Sequence, residues 1–186
     1  LCSAAAAACF ARIDALELLL TRFNDTSDVA VIRGLPDGGI ATVARETMDV
    51  LVASARVCAA TGGAFDPTVE RRNFAELTLD VEHVRVGVRK GPGALDFGGI
   101  GKGYALDACA EILRSEQFDL HDWLLDAGSS TQVIGGGPWA LGIGGRICGF
   151  FQDGTNIVHT GIGGGVQLSN VQNRSIHDAA AGGTFV

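Results

Sequence analysis

No run of apolar residues in this sequence is long enough to cross a membrane as a helix, so no transmembrane segment is expected in the chain. The alanine tract near the N-terminus lacks the basic flank of a signal peptide, and a chain that opens at Leu1 leaves its compartment unread. Basic residues are sparse. Fourteen Lys and Arg stand against twenty-one Asp and Glu, a formal net charge of -7, and they are scattered singly or in pairs such as Arg71-Arg72 and Arg89-Lys90. A reader of phosphate backbones shows a basic face, so no nucleic-acid partner is expected. An anionic ligand must instead be held locally, by backbone amides or a divalent cation. Paired cysteine spacing is missing too: Cys2, Cys9, Cys58, Cys109 and Cys148 make no zinc-like or thioredoxin-like pattern, and an odd count argues against a closed disulfide framework. Cys9, Cys58 and Cys109 lie on apolar helical stretches and read as buried thiols. Internal repeats and low-complexity linkers are also absent, and 186 residues suffice for one domain with a substantial core.

What the chain does have is glycine, 27 residues of it, concentrated after Gly87. Before that point the patterning is helical. Phe10, Ile13, Leu16, Leu20 and Phe23 recur at three- and four-residue spacing and predict an amphipathic helix over 4–22. A second helix is expected over 43–60, stopped by Gly62-Gly63, and a third from Gly101 to about Ser115. Thr78–Val81 and Val84–Val88 read as a hairpin with His83 near its turn, followed by short strands at Leu95–Phe97, Trp123–Ala127, Thr131–Ile134 and Trp139–Ile143. Helices grouped early, with strands of hairpin spacing around one later helix, point to an α+β fold with a mostly antiparallel sheet and packed helices.

The stretch Leu95–Asp107, LDFGGIGKGYALD, places glycines and a lysine where an apolar run meets a helix. The first N–H groups of a helix lack internal partners and its dipole favours negative charge, so such a junction suits a phosphate. It is not a dinucleotide fingerprint, because Tyr104 stands where a glycine is required. A Walker A loop is excluded as well, since Asp96 occupies its first glycine and Gly103 its hydroxyl position. Lys102 would add a mobile positive charge to the junction.

Together with Gly62-Gly63-Ala64-Phe65-Asp66-Pro67-Thr68-Val69, this stretch resembles the two leading signatures of the ApbE family, the bacterial FAD:protein FMN transferases. The resemblance implies an ApbE-like α+β fold, FAD as substrate, Mg2+ as cofactor, and transfer of FMN to a threonine of a target flavoprotein with release of AMP. It implies that Gly98, Gly99 and Lys102 face the FAD pyrophosphate, that the Gly99 carbonyl contributes to the magnesium site, and that Phe65, Asp66, Thr68 and Asp107 shape the flavin or adenosine pocket. Read without the family, Asp66-Pro67-Thr68 is equally a turn, Lys102 a solvated helix-start residue and Asp107 a solvated helical one. Family custom places such proteins in the periplasm or tethers them to a membrane, whereas the unpaired cysteines are equally at ease in the cytosol.

The sequence also departs from the family. Ala127-Gly128-Ser129-Ser130 stands where Ala-Gly-Gly-Asp is common, and Ser175-Ile176-His177-Asp178-Ala179-Ala180-Ala181-Gly182 is the nearest match to a His-Ile-Ile-Asp-Pro-x-Thr-Gly signature. The resemblance therefore gives His177, as a displaced histidine, and Asp178 as the catalytic pair. His83, His121 and His159 show no metal-ligand spacing. The residues after Val69 run directly into the hairpin where relatives carry an insertion, and the family's side-chain ligands to magnesium fall beyond Val186. A single ApbE-like domain over 1–186, incomplete at its C-terminal end, is the expected organisation. The alternative function is a non-catalytic binder of FAD or an adenine nucleotide with a degraded metal site.

Overall fold

The computed structural model describes residues 2–69, 73–91, 93–127, 132–136, 141–143, 146–148, 150–152, 156–160, 166–170, 176–178 and 183–185, the last groups as strand backbone. Helix α1 (Cys2–Leu20) is followed by α2 (Asp28–Gly34), strand β1 (Ile40–Thr42), α3 (Arg45–Ala60), a 3-10 turn (Phe74–Glu76), β2 (Leu77–Asp80), β3 (Arg85–Val88) and α4 (Gly101–Arg114). Then come short strands: β4 (Leu124–Asp126), β5 (Gln132–Ile134), β6 (Leu141–Ile143), β7 (Arg146–Cys148), β8 (Phe150–Gln152), β9 (Asn156–Thr160), β10 (Val166–Asn170), β11 (Ile176–Asp178) and β12 (Gly183–Phe185). Among the described residues every strand pair is antiparallel, as the hairpin spacing predicts. The α+β expectation holds.

Two compact units form: Phe10–Tyr104, and Leu1–Cys9 with Ala105–Val186. In the first, the sheet runs in the order β1-β3-β2. Gly87 sits in its middle strand opposite Thr78 and Ile40, where an added Cβ would collide with the Thr78 hydroxyl. The β2–β3 turn puts Val84 at φ 54, a costly region for a β-branched residue, and the Val84 carbonyl accepts from Val43 N at 3.0 Å. The core draws Val29 and Ile32 from α2, Met48, Val50 and Leu51 from α3, Val86 and Val88 from β3, and Leu95, Phe97 and Ile100 from the segment entering α4. Burying each such large side chain is worth roughly 1.5–3 kcal/mol before entropy is counted.

Three sequence expectations are corrected here. Along α1 the buried positions are Ala5, Cys9 and Leu16, while Phe10 is 67% exposed and Phe23, beyond the helix, is 83% exposed. Leu16 with the small Ala5 and Cys9, not the aromatics, marks the buried face. Leu95–Phe97 is no strand: Asp96 N bonds the Pro67 carbonyl at 2.9 Å, and the Asp96 carboxylate takes Gly98 N at 2.7 Å, so this backbone is committed to a loop and a turn instead of a ladder. Third, α2 exists, although its seven residues carry too little periodicity to announce it. Its cap explains it. Ser27 Oγ accepts from Ala30 N at 3.1 Å and donates to the Thr21 carbonyl at 2.6 Å, with Asp28 in the first turn and Arg33 in the last. Asp28 also caps α3, whose own N-cap, Ala44, has no side-chain acceptor: its Oδ2 accepts from Ala44 N at 2.8 Å and from Thr47 Oγ1 at 2.6 Å.

In the second unit, α4 buries Leu106, Cys109, Ala110 and Leu113. Trp123 lies beneath Arg114, whose guanidinium carbon is 4.8 Å from the ring, and its Nε1 donates to the Leu120 carbonyl at 3.1 Å. Gly135 backs onto that indole so closely that a Cβ would lie 2.5 Å from Cε2. Farther on, β10-β9-β8 form one sheet and β11 pairs with β12. Among the described residues no helix is long and apolar enough to cross a membrane.

Candidate functional site

Helix α3 ends on the first signature. Thr61 N bonds the Val57 carbonyl at 2.9 Å and Gly63 N the Cys58 carbonyl at 2.8 Å, while Gly62 and Gly63 turn the chain at φ 59 and φ 82. Consecutive residues with positive φ favour glycine strongly, which accounts for the pair. Thr61 Oγ1 donates back to the Val57 carbonyl and accepts from Phe65 N at 3.0 Å, fixing where Phe65 leaves the helix.

Asp66 and Thr68 are engaged with each other. Asp66 Oδ1 accepts from Thr68 N at 2.8 Å and from Thr68 Oγ1 at 2.5 Å, and Oδ2 reaches Phe74 N at 3.4 Å. Thr68 is fully buried, and its hydroxyl accepts from Asn73 N at 2.8 Å. This knot holds Pro67 with its carbonyl toward Asp96. The first signature thereby anchors the second through the Pro67–Asp96 backbone bond.

The second signature makes a tight turn into α4. Ile100 N and Gly101 N both donate to the Phe97 carbonyl, at 3.0 and 2.6 Å, and Tyr104 N donates to the Ile100 carbonyl at 3.1 Å. Between these bonds a gap remains. Among the described residues, the N–H groups of Lys102 and Gly103 donate to nothing, and the carbonyls of Gly98 and Gly99 accept nothing. Gly98, Gly99 and Lys102 are exposed. Phe65 closes one side: a Cβ added to Gly99 would stand 3.1 Å from its ring Cε2. Open donors and an aromatic edge therefore meet at one helix start, which also carries the exposed Lys102.

Sequence patterning gives no role to Asp96 or Arg22. Asp96 Oδ1 fixes Gly98 N while Oδ2 pairs with Arg22 at 3.3 Å, and Arg22 stacks 4.7 Å from the Phe23 ring. The available signal was an aspartate two residues before a turn glycine, the pattern of an Asx-turn. Nothing in the sequence announces the partner Arg22, more than seventy positions away.

The remaining expected residues lie in the other unit. Asp107 is half-buried on α4, about 140° around the helix from Lys102. His177 and Asp178 are on β11, in register with Thr184 and Gly183. Gly128, Ser129 and Ser130 of the altered motif, Ser175 and Ala179–Gly182 of the distal one, and Arg71-Arg72 lie outside the described residues. His83 and His121 are exposed, each beside an aspartate, Asp80 and Asp119.

A magnesium ion requires about six oxygen ligands and ordinarily takes carboxylates. Among the described residues no group of three or more His, Cys, Asp or Glu is arranged to hold a metal. At the turn itself only carbonyl oxygens are open, because Asp96 and Asp66 spend their carboxylates on Gly98, Arg22, Thr68 and Phe74. The described residues do not fit Mg2+ by themselves.

Comparison with known proteins accords with this architecture. The family model described as "ApbE family" matches residues 2–74 and 70–159. No curated protein sequence matches. Among solved structures, the apo flavinyl transferase ApbE of Pseudomonas stutzeri is similar at a TM-score of 0.70 and 19% identity, over 80% of this chain and 59% of that one. The flavin transferase ApbE of Vibrio cholerae gives a TM-score of 0.70 at 15% identity, over 94% of this chain and 71% of that one. An ApbE protein of Thermotoga maritima gives 0.55 at 20% identity, over 79% and 67%. This chain thus spans 59% of the length of the Pseudomonas stutzeri protein, a similarity that concerns the fold. With a family model matched across most of its length and two signatures interlocked at one helix start, the chain belongs to the ApbE family.

Proposed function

We propose that this chain binds FAD and transfers its FMN half to a threonine of a target flavoprotein, releasing AMP, in a Mg2+-dependent reaction. The observation that carries the reading is the open helix start. Unbonded N–H groups of Lys102 and Gly103 and the Phe65 ring meet at a turn that Asp96 and Pro67 hold in place, and Lys102 is exposed on its helix start. Amides at a helix N-terminus stabilise phosphate oxygens through direct hydrogen bonds and the helix dipole, and a lysine adds charge. A pyrophosphate flanked by ring systems matches that combination. The relatives named as flavin transferases support extending the activity to this chain. The match to the family model from residue 2 to 159 supports treating both compact units as one ApbE-like domain.

Within this reading Gly98, Gly99 and Lys102 contact the pyrophosphate and Phe65 the flavin or adenine, with Asp66 and Thr68 acting through the loop they brace. Asp107 is a further polar contributor. His177 and Asp178 are the proposed catalytic pair. The described carboxylates do not form a magnesium site, so the ion requirement is a matter for direct measurement. Incubating the protein with FAD, Mg2+ and a threonine-containing acceptor should yield AMP and a fluorescent flavinylated acceptor, both lost with EDTA. Absence of both products with Mg2+ present overturns the transfer reading.

The engagement of Asp66 and Asp96 inside the loops favours a second reading, a family member that binds FAD or an adenine nucleotide without turnover. It predicts saturable flavin binding that is indifferent to Mg2+. Tight binding that needs the ion counts against it.

A further inference from the structure

The stretch of α1 that belongs with Ala105–Val186 ends at Cys9, and its buried residues are Ala5 and Cys9. In the same unit α4 buries Cys109 and Ala110. Small side chains let two helix backbones approach closely. Here they do: Cys9 Sγ donates to the Cys109 carbonyl at 3.8 Å and Cys109 Sγ to the Cys9 carbonyl at 3.6 Å. Reciprocal bonds of this kind require the two residues to face each other, each sulfur against the other's main chain. Neither Cys2, which is exposed, nor Cys58, which is half-buried, hydrogen-bonds another cysteine among the described residues.

We propose that Cys9 and Cys109 are an oxidisable dithiol that a peroxide converts into a disulfide stapling α1 to α4. Cys9 reacts first, because it keeps 6% exposure and Cys109 keeps none. Its thiolate attacks a peroxide oxygen, the O–O bond breaks, and the departing hydroxide takes a proton to leave as water, giving a sulfenic acid. The Cys109 thiolate then attacks the Cys9 sulfur, the S–O bond breaks, and a second water leaves. Two thiols lose two electrons and one peroxide gains them. Burial pushes the Cys9 thiol up from its ordinary value, with the Cys109 bond opposing that shift, so the reaction quickens as pH rises above neutrality. A disulfide requires Cα atoms within about 7 Å of each other, and the two sulfurs lying 3.8 and 3.6 Å from each other's carbonyl oxygens set the two backbones side by side, so closure calls for side-chain rotation.

The test treats the native full chain with hydrogen peroxide at pH 8, blocks remaining thiols with an alkylating reagent, and maps peptides by mass spectrometry without reduction. The expected result is a Cys9–Cys109 linked peptide and the loss of two alkylatable thiols, both reversed by dithiothreitol and absent in Cys9→Ser and Cys109→Ser. A Cys2→Ser/Cys58→Ser/Cys148→Ser variant keeps the pair and should still give the link, even if the single substitutions fail to fold. Over-oxidation of Cys9 without a linked peptide, or a link that forms only in urea, overturns the proposal.

Discussion

Thr68 shows how a signature residue can act without touching a ligand. Its side chain has no exposure, and its hydroxyl is spent on Asp66 Oδ1 and Asn73 N. Thr68→Val keeps the volume but strands the Asn73 N–H, so it should cost about 1–3 kcal/mol in the ligand-free protein, read as a lower urea midpoint, while Thr68→Ser stays near the parent. An unchanged midpoint in Thr68→Val would assign the residue to the ligand and not to the loop. Gly99 is the opposite case, exposed and dispensable for packing except against the Phe65 ring. Gly99→Ala places a methyl 3.1 Å from Cε2, a contact that asks the ring to give by a few tenths of an ångström. Stability should hardly move, and FAD affinity should fall roughly 5- to 10-fold, a loss near 1 kcal/mol that calorimetric titration resolves. Lys102→Ala should weaken FAD binding by a similar or larger factor; equal affinity removes Lys102 from the phosphate site.

At the level of elements, stability rests on the starts of the helices. Ser27→Ala removes the α2 cap and a bond to the Thr21 carbonyl, so a loss of about 1–2 kcal/mol is expected in denaturant unfolding. Glu46 in the first turn of α3 is held below the usual carboxylate range by its own backbone N–H first and then by Arg12 at 2.9 Å. A carboxylate depressed in the fold stabilises it above the unfolded pKa, about 4.3 for glutamate, and loses that contribution as pH falls through the folded value. Glu46→Gln should therefore flatten the stability curve below pH 5 compared with the parent protein. Parallel acid limbs would show that the pair contributes nothing. The long helices and the β2–β3 hairpin were legible because period and glycine stops repeat over several turns or residues. Shorter pieces were not: α2 and β1 hold too few residues for a period to register, and Leu95–Phe97 has the apolar alternation of a strand but spends its amides on Pro67 and a turn. For the site, glycine and lysine positions could be read from spacing, whereas the Asp66–Thr68 knot and the Arg22–Asp96 pair exist only through contacts that spacing does not encode.

For the molecule as a whole, the division at Cys9 and at Tyr104 makes FAD binding locally testable. The proposed pyrophosphate contacts, Gly98, Gly99 and Lys102, and the first-signature residues Phe65, Asp66 and Thr68 all belong to Phe10–Tyr104, so binding energy enters that unit first. A ligand at 100 times its Kd stabilises the species that binds it by about 2.7 kcal/mol, enough to slow amide exchange about a hundredfold where opening requires release of the ligand. Hydrogen–deuterium exchange with and without FAD should slow most in peptides covering 96–104, where the open amides of Lys102 and Gly103 meet the ligand, and 62–69, the loop that braces that turn. The β2–β3 turn at 81–84 should exchange at the same rate in both states, because it is exposed and opens locally. Protection confined to peptides after Tyr104, with 62–69 and 96–104 unchanged, would move the flavin away from the glycine–lysine turn and with it the role given to Lys102. Protection of both signatures together, weakened in Gly99→Ala, is what their interlocking through Pro67 and Asp96 requires.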